Sequence, residues 1–156
     1  MEHAMAQFNK KLIIGSDHAG FLMKEYVKSE LSCLNVPFDD VGVFNEDRSD
    51  YPLYAAKVAR AVSKGEYERG IAVCGSGIGA SITANRFRGI RAALCITEEM
   101  ALLSRQHNNA NVLVLGGRIT SQNEVSKILN AWLTTDFEGG RHEKRIRMID
   151  QEADKG

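Results

Sequence analysis

The stretch Cys74-Gly75-Ser76-Gly77-Ile78-Gly79-Ala80-Ser81 joins a thiol to a run of glycines. Glycines at this spacing let successive backbone N–H groups face one anion at the start of a helix, which makes an oxyanion or phosphate cradle. A thiol at the head of such a cradle sits where those N–H groups stabilise a thiolate, so Cys74 is a usable base or nucleophile. The plainer reading is a small apolar residue packed at the end of a strand. Taken literally, Gly75-x-Gly77-x-x-Ala80 also satisfies the dinucleotide fingerprint, and Glu98 or Glu99 stands near the distance expected of a ribose-binding acid. Against that alternative, the motif falls at the third strand. A chain of 156 residues also leaves little space for both a dinucleotide and a substrate domain.

Four further clusters carry polar chemistry. Gly15-Ser16-Asp17-His18-Ala19-Gly20 sets a carboxylate and an imidazole between glycines at the start of a helix, either as a functional pair or as a cap with a packed histidine. Ser104-Arg105-Gln106-His107-Asn108-Asn109-Ala110-Asn111 is a helix end richer in amides and imidazole than a C-cap requires. Gly116-Gly117-Arg118 sets a guanidinium after the last strand. In Glu138-Gly139-Gly140-Arg141-His142-Glu143-Lys144-Arg145, Arg141 and Arg145 stand at i, i+4 on one helical face, where two guanidiniums can grip one phosphate. A solvated charged tail is the competing reading of that run.

Positioning these groups calls for a particular architecture. Short β-branched runs at 12–14, 36–41, 71–74, 92–96 and 112–115 alternate with amphipathic segments at 20–34, 53–63, 79–86, 98–106 and 121–133, and a sixth helix follows from about Arg141. Thr97 and Ser121 are the expected N-caps. Nearly continuous apolar strands, separated by connections long enough for crossovers, imply a parallel sheet covered on both faces. The expectation is an α/β fold: a three-layer α/β/α sandwich with a Rossmann-like five-stranded parallel sheet, in one domain spanning 1–156. Ligands in such sheets bind outside the carboxyl ends of the strands, where strand order reverses. The long irregular stretch 42–52 is a further functional candidate.

Composition narrows the function classes. Twenty basic residues balance twenty acidic ones, so no broad cationic field exists to attract nucleic acid or an anionic membrane. No apolar run reaches the roughly 20 residues that span a bilayer, and residues 1–10 lack a secretion-signal pattern, so a cytoplasmic location is expected. Cys33, Cys74 and Cys95 are odd in number and widely spaced, which argues against a disulfide framework. No His/Cys/carboxylate cluster has metal-ligand spacing, and no metal is expected.

Taken together, Ser16-Asp17-His18-Ala19-Gly20, Arg48-Ser49-Asp50-Tyr51-Pro52, Cys74-Gly75-Ser76-Gly77-Ile78-Gly79, Ser104-Arg105-Gln106-His107-Asn108 and Glu138-Gly139-Gly140-Arg141-His142 closely resemble the B-type ribose-5-phosphate isomerases, in order and over residues 11–149. The resemblance implies interconversion of ribose 5-phosphate and ribulose 5-phosphate through an enediolate, without metal or cofactor, in a homodimer or homotetramer with shared active sites. It implies Cys74 as the carbon base, amides from Gly75 through Gly77 and Ile78 to Gly79 as the anion hole, and Ser76 as a proton relay. It further implies Asp17 and His107 as the ring-opening pair and Asn108 as a partner of the enediolate. Asp50 and Tyr51 would line the sugar site, with His18, Arg118, Arg141 and Arg145 on the phosphate. One branch of the family lacks the cysteine and carries a glutamate where Ala80 stands here, so this chain resembles the cysteine branch. Ser76 stands where many relatives have Thr, which keeps the hydroxyl. Related isomerases act on allose 6-phosphate or galactose 6-phosphate, and those substrates stay open as alternatives.

Overall fold

A computed structural model of the protein describes residues 8–156. Five parallel strands, β1 (Leu12–Ser16), β2 (Phe38–Asp40), β3 (Gly70–Cys74), β4 (Ala92–Leu94) and β5 (Val112–Gly116), form one sheet in the order β2-β1-β3-β5-β4. Six helices accompany them: α1 (Phe21–Cys33), α2 (Tyr51–Ser63), α3 (Ile78–Ala84), α4 (Glu98–Gln106), α5 (Gln122–Thr134) and α6 (Arg141–Ala153). The α/β/α sandwich expected from the alternation of runs is the observed architecture.

The strand periodicity explains the layers. Along β1, Leu12 and Ile14 join a core with Val27, Leu31, Ile128 and Trp132, while Ile13 joins the opposite core with Val58, Ala59 and Val62. The same alternation divides Ile71 and Val73 from Ala72 and Cys74, and Leu113 and Leu115 from Val112 and Val114. β1, β3 and β5 are buried along their whole length; the edge strands β2 and β4 are half-buried.

Element ends differ from the sequence reading where tertiary contacts decide them. α2 begins at Tyr51 rather than 53, because Pro52 falls in the first turn, where its missing N–H costs nothing. β2 is confined to residues 38–40, since Pro37 has no N–H to give to β1 and contributes only its carbonyl, to Leu12. α3 stops at Ala84 because the Asn85 side chain pairs with both backbone groups of Ala92, at 3.0 and 2.8 Å. Thr97 and Ser121 cap α4 and α5 as expected, each side chain accepting from the backbone N–H three residues on at 3.2 Å.

Candidate active site

Strand order reverses between β1 and β3, and the loops leaving those strands flank the crevice where such sheets bind ligands. The β1 loop supplies Asp17, buried, whose Oδ1 accepts the Gly20 N–H at 2.9 Å and so fixes the entry to α1. Its neighbour His18 is clamped by Ser49: the His18 N–H donates to Ser49 Oγ at 2.9 Å, and the Ser49 N–H donates to His18 Nδ1 at 3.1 Å. Capping and packing at Asp17-His18, one of the two readings the residues allowed, is thus real, and it holds both side chains at the mouth of the crevice.

The β3 loop supplies the thiol. Cys74 is buried, and its Sγ accepts the Gly77 N–H at 3.2 Å. Gly77 takes φ +80°, and a Cβ there would lie 2.4 Å from Leu94 Cδ1, so only glycine turns the chain back tightly enough to aim that N–H at the sulfur. Ser76 Oγ accepts the Ile78 N–H at 3.2 Å. The cradle is closed from the turn after β5, where the Gly117 and Arg118 N–H groups donate to the carbonyls of Cys74 and Gly75 at 2.8 and 2.9 Å. The Tyr51 ring lies against Gly79, where an added Cβ would sit 2.6 Å from it, and this brings Asp50 and Tyr51 at the head of α2 beside the head of α3. Asp17, His18, Asp50, Tyr51, Cys74, residues 75–79 and Arg118 therefore share the carboxyl rim of the sheet.

A buried ion cluster holds the loop that carries Ser49 and Asp50. Lys24 Nζ, fully buried, donates to Asp40 Oδ1 and Oδ2 at 2.7 and 2.9 Å and to the Val43 carbonyl; Lys28 adds a 2.9 Å contact to Asp40 Oδ2. Burial lowers the Lys24 pKa despite its partner. Burial alone would raise that of Asp40, but the two ammonium groups and the Gly42 N–H together hold it below the usual carboxylate value. Nothing in the sequence marked Lys24; it stands at an ordinary helix position whose burial only the fold reveals.

His107, Asn108, Arg141 and Arg145 lie elsewhere. A helix that leaves the carboxyl end of a strand runs back toward the amino ends, so the end of α4 reaches the opposite rim. There Arg91, just before β4, donates from Nε to the Asn108 carbonyl at 2.9 Å, and the Gly70 N–H that opens β3 donates to the Asn111 carbonyl at 2.9 Å. Five strand residues at roughly 3.3 Å each set the two rims on the order of 13–16 Å apart. Asn109, with φ +46°, turns the chain from α4 into β5, and buried Arg105 ties that turn down with 2.8 Å bonds to Asn109 Oδ1 and the Ala110 carbonyl. Burial, beside Arg69 and Arg91, pulls the Arg105 pKa down to about 10.

On this amino rim the His107 ring stacks on His142 of α6, centroids 4.3 Å apart and planes 14° from parallel. His142 is buried, and its Nε2 lies 3.5 Å from Glu138 Oε2. Desolvation, with His107 and Arg141 adding to it, lowers the His142 pKa and favours the neutral imidazole. One ligand atom each from His107, Glu138 and His142 lie within 4.8 Å of one another. This corrects the expectation that no cluster has metal-ligand spacing: the fold assembles one from two helices and a loop. Arg141 and Arg145 project from the first turns of α6 and are exposed.

The dinucleotide alternative fits the fold poorly. Its ribose-binding acid belongs at the end of the strand next to the glycine loop. Here Glu98 and Glu99 follow β4, and β5 separates β4 from β3.

Comparison with known proteins agrees with the geometry. The sequence profile of the ribose/galactose isomerase family matches residues 12–149. The chain is 45% identical over 140 residues to ribose-5-phosphate isomerase B of Escherichia coli K12, covering 90% of this chain and 94% of that one. The crystal structure of a ribose 5-phosphate isomerase from Thermotoga maritima superposes with a TM-score of 0.89 at 49% identity, covering 91% of this chain and 98% of that one. Ribose-5-phosphate isomerase B of Mycoplasma genitalium, solved with bound ribulose-5-phosphate, superposes at 0.88 and 37% identity, covering 94% and 97%. With the profile spanning most of the sequence and relatives this similar over nearly their full lengths, the chain belongs to the ribose/galactose isomerase family.

Proposed function

We propose that this protein interconverts ribose 5-phosphate and ribulose 5-phosphate, with Cys74 as the base at carbon, in a site completed by a second copy of the chain. The observation that carries the reading is the contact between Cys74 and the glycine loop at the switch point: a buried sulfur receives the Gly77 N–H, beside a row of further amides, in a chain whose relatives bear this activity in their names.

Isomerisation begins with ring opening, which needs one group to take a proton from the anomeric hydroxyl and another to give one to the ring oxygen. Asp17 and His107 take these roles. The Cys74 thiolate then removes the C2 proton of the open aldose, and negative charge moves onto the carbonyl oxygen. Amides of the 75–79 loop receive that charge on a backbone fixed in place before the reaction, those of Gly77 and Ile78 by giving up their bonds to Cys74 Sγ and Ser76 Oγ. Asn108 donates to the other enediolate oxygen, and the Ser76 hydroxyl passes a proton between O1 and O2. The Cys74 thiol finally returns its proton to C1, giving the ketose. Asp50 and Tyr51 contact the sugar hydroxyls, while His18, Arg118, Arg141 and Arg145 hold the phosphate. Every step is a proton transfer with charge kept next to a donor, so the chain's own residues suffice.

Asp17 and Cys74 stand on one rim and His107 and Arg141 on the other, so two chains packed rim to rim in a homodimer, or in a tetramer of such dimers, make two complete sites. Tyr51, Leu53, Ile78 and Ile82 are 42–60% exposed beside the carboxyl rim, an apolar patch of the kind that a partner covers. A cytoplasmic setting suits the three unpaired cysteines.

The test is turnover of ribose 5-phosphate against allose 6-phosphate and galactose 6-phosphate by the purified chain. A kcat/KM highest for the pentose supports the assignment; preference for a hexose moves the protein to the neighbouring branch of its family, and no turnover of any of them overturns the isomerase reading.

A further inference from the structure

We propose that His107, Glu138 and His142 bind a divalent d-block cation of the zinc class, and that this cation competes with the sugar phosphate. The competition rests on the reading of His107 given above; the binding does not. Two imidazole nitrogens and one carboxylate oxygen are a ligand set that zinc takes three at a time, with water in the fourth position. A tetrahedral zinc with bonds of about 2.0–2.1 Å separates its ligand atoms by roughly 3.3–3.5 Å. His142 Nε2 and Glu138 Oε2 already stand 3.5 Å apart, and all three ligand atoms fall within 4.8 Å. Closure requires the His107 ring, half-exposed at a helix end, to turn out of the stack on His142 that it makes in this structure.

The cluster also has a reason to accept an ion. His142 Nε2 is buried without a hydrogen-bond partner among the described residues, because Glu138 faces it at ion-pair distance but not in hydrogen-bond alignment. A metal bond satisfies that nitrogen. The Glu138 carboxylate is exposed, which gives an ion a way in, and its backbone is pinned to α4 by the Glu138 N–H donating to the Gln106 carbonyl at 3.1 Å. The guanidiniums of Arg141 and Arg145 lie near enough to bear on His142 and oppose a cation, which weakens the site. Imidazole ligands select zinc, cobalt or nickel over magnesium and calcium. A bound ion takes the lone pair of His107 and meets the same guanidiniums that the phosphate needs.

The probes are zinc by calorimetry and cobalt by visible absorbance, on the full chain and on Glu138→Gln, a substitution at an exposed residue outside the proposed catalytic set. The expected result is one ion per chain, cobalt d–d bands of a four-coordinate site, and affinity at least about tenfold weaker in Glu138→Gln, whose metal-free turnover is unchanged. Zinc should raise KM for ribose 5-phosphate in the wild type, chelator should restore it, and magnesium should do nothing. Failure of either ion to bind, or binding that Glu138→Gln leaves unaltered, as when Cys74 alone captures the metal, overturns the proposal. Glu138-dependent binding with no change in KM supports the metal site and removes His107 from ring opening instead.

Discussion

The two rims of the sheet are built by different means. At the carboxyl rim, the candidate site residues sit on loops locked by backbone: Gly77 turned by its positive φ, the carbonyls of Cys74 and Gly75 tied to the turn after β5, and His18 held by Ser49. At the amino rim, side chains stack and pair across elements that meet only in the fold, His107 on His142 and Arg105 Nε on the Thr135 carbonyl that ends α5. Pre-organised amides suit a charge that develops during reaction. Longer, partly exposed arginines and a histidine suit a group that must be gripped and released. Substitutions at Cys74 in the first region and at His107 in the second should therefore cost turnover, whereas those at the exposed arginines of the second should cost binding.

The largest effect is expected at Cys74. Cys74→Ala should lower kcat by about 10²–10⁴-fold, the usual contribution of a positioned acid–base group, with substrate affinity nearly kept. Steady-state kinetics beside a direct binding titration check this, and near-normal turnover would remove Cys74 from the mechanism. At the opposite rim, Arg141→Ala and Arg145→Ala should each raise KM for the phosphorylated sugar by roughly 10- to 150-fold, the equivalent of one charge-assisted hydrogen bond at about 1.5–3 kcal/mol. Because both arginines are exposed, melting temperature should barely move, and a KM left unchanged in both variants would make α6 a solvated tail.

Stability sharpens the contrast, since the carboxyl rim also rests on a buried ion pair. Lys24→Met leaves Asp40 without its main partner and should destabilise the fold by about 3–5 kcal/mol, as breaking one side of a buried pair does. The folded-state pKa of Asp40 is depressed, so its contribution is complete above the unfolded value of about 3.9 and disappears as pH falls through the lower folded value. Denaturant midpoints measured from pH 6 down to pH 2 should fall less steeply in Asp40→Asn than in the wild type; parallel curves would show that Asp40 does not drive the acid limb. The smallest effect belongs to Cys95, whose thiol is buried and pushed up to about 11, leaving it protonated and inert at neutral pH. Alkylation at pH 7.5 followed by mass mapping should spare Cys95, and Cys95→Ala should keep full turnover.

Much of this was legible in the sequence wherever local rules decide. The alternation that divides Leu12 and Ile14 from Ile13 and the caps at Thr97 and Ser121 need only neighbours along the chain. So does the glycine loop after β3. The separation of the rims was legible too, in the direction of a helix that follows a parallel strand, but the motifs pool both rims into one implied site and hide it. His142 gave little signal, for a histidine inside a charged helical run reads as solvated until α6 folds over His107. The burial of Lys24 gave none. The stop of α3 at Asn85 was likewise invisible, because it depends on a side chain pairing with an edge strand.

The central claim is that one catalytic site takes its carboxyl rim from one chain and its amino rim from another, and mixing two inactive variants tests it most directly. Cys74→Ala and His107→Ala are each expected to be inactive alone. Co-refolded in equal amounts, they should pair at random, and half the dimers should be mixed. Each mixed dimer joins the intact Cys74 rim of one chain to the intact His107 rim of the other at one of its two sites, so activity should recover to about a quarter of the wild-type value. A mixture that forms mixed dimers, seen by mass spectrometry of differently tagged chains, yet stays inactive would contradict the shared site and return both rims to a single chain.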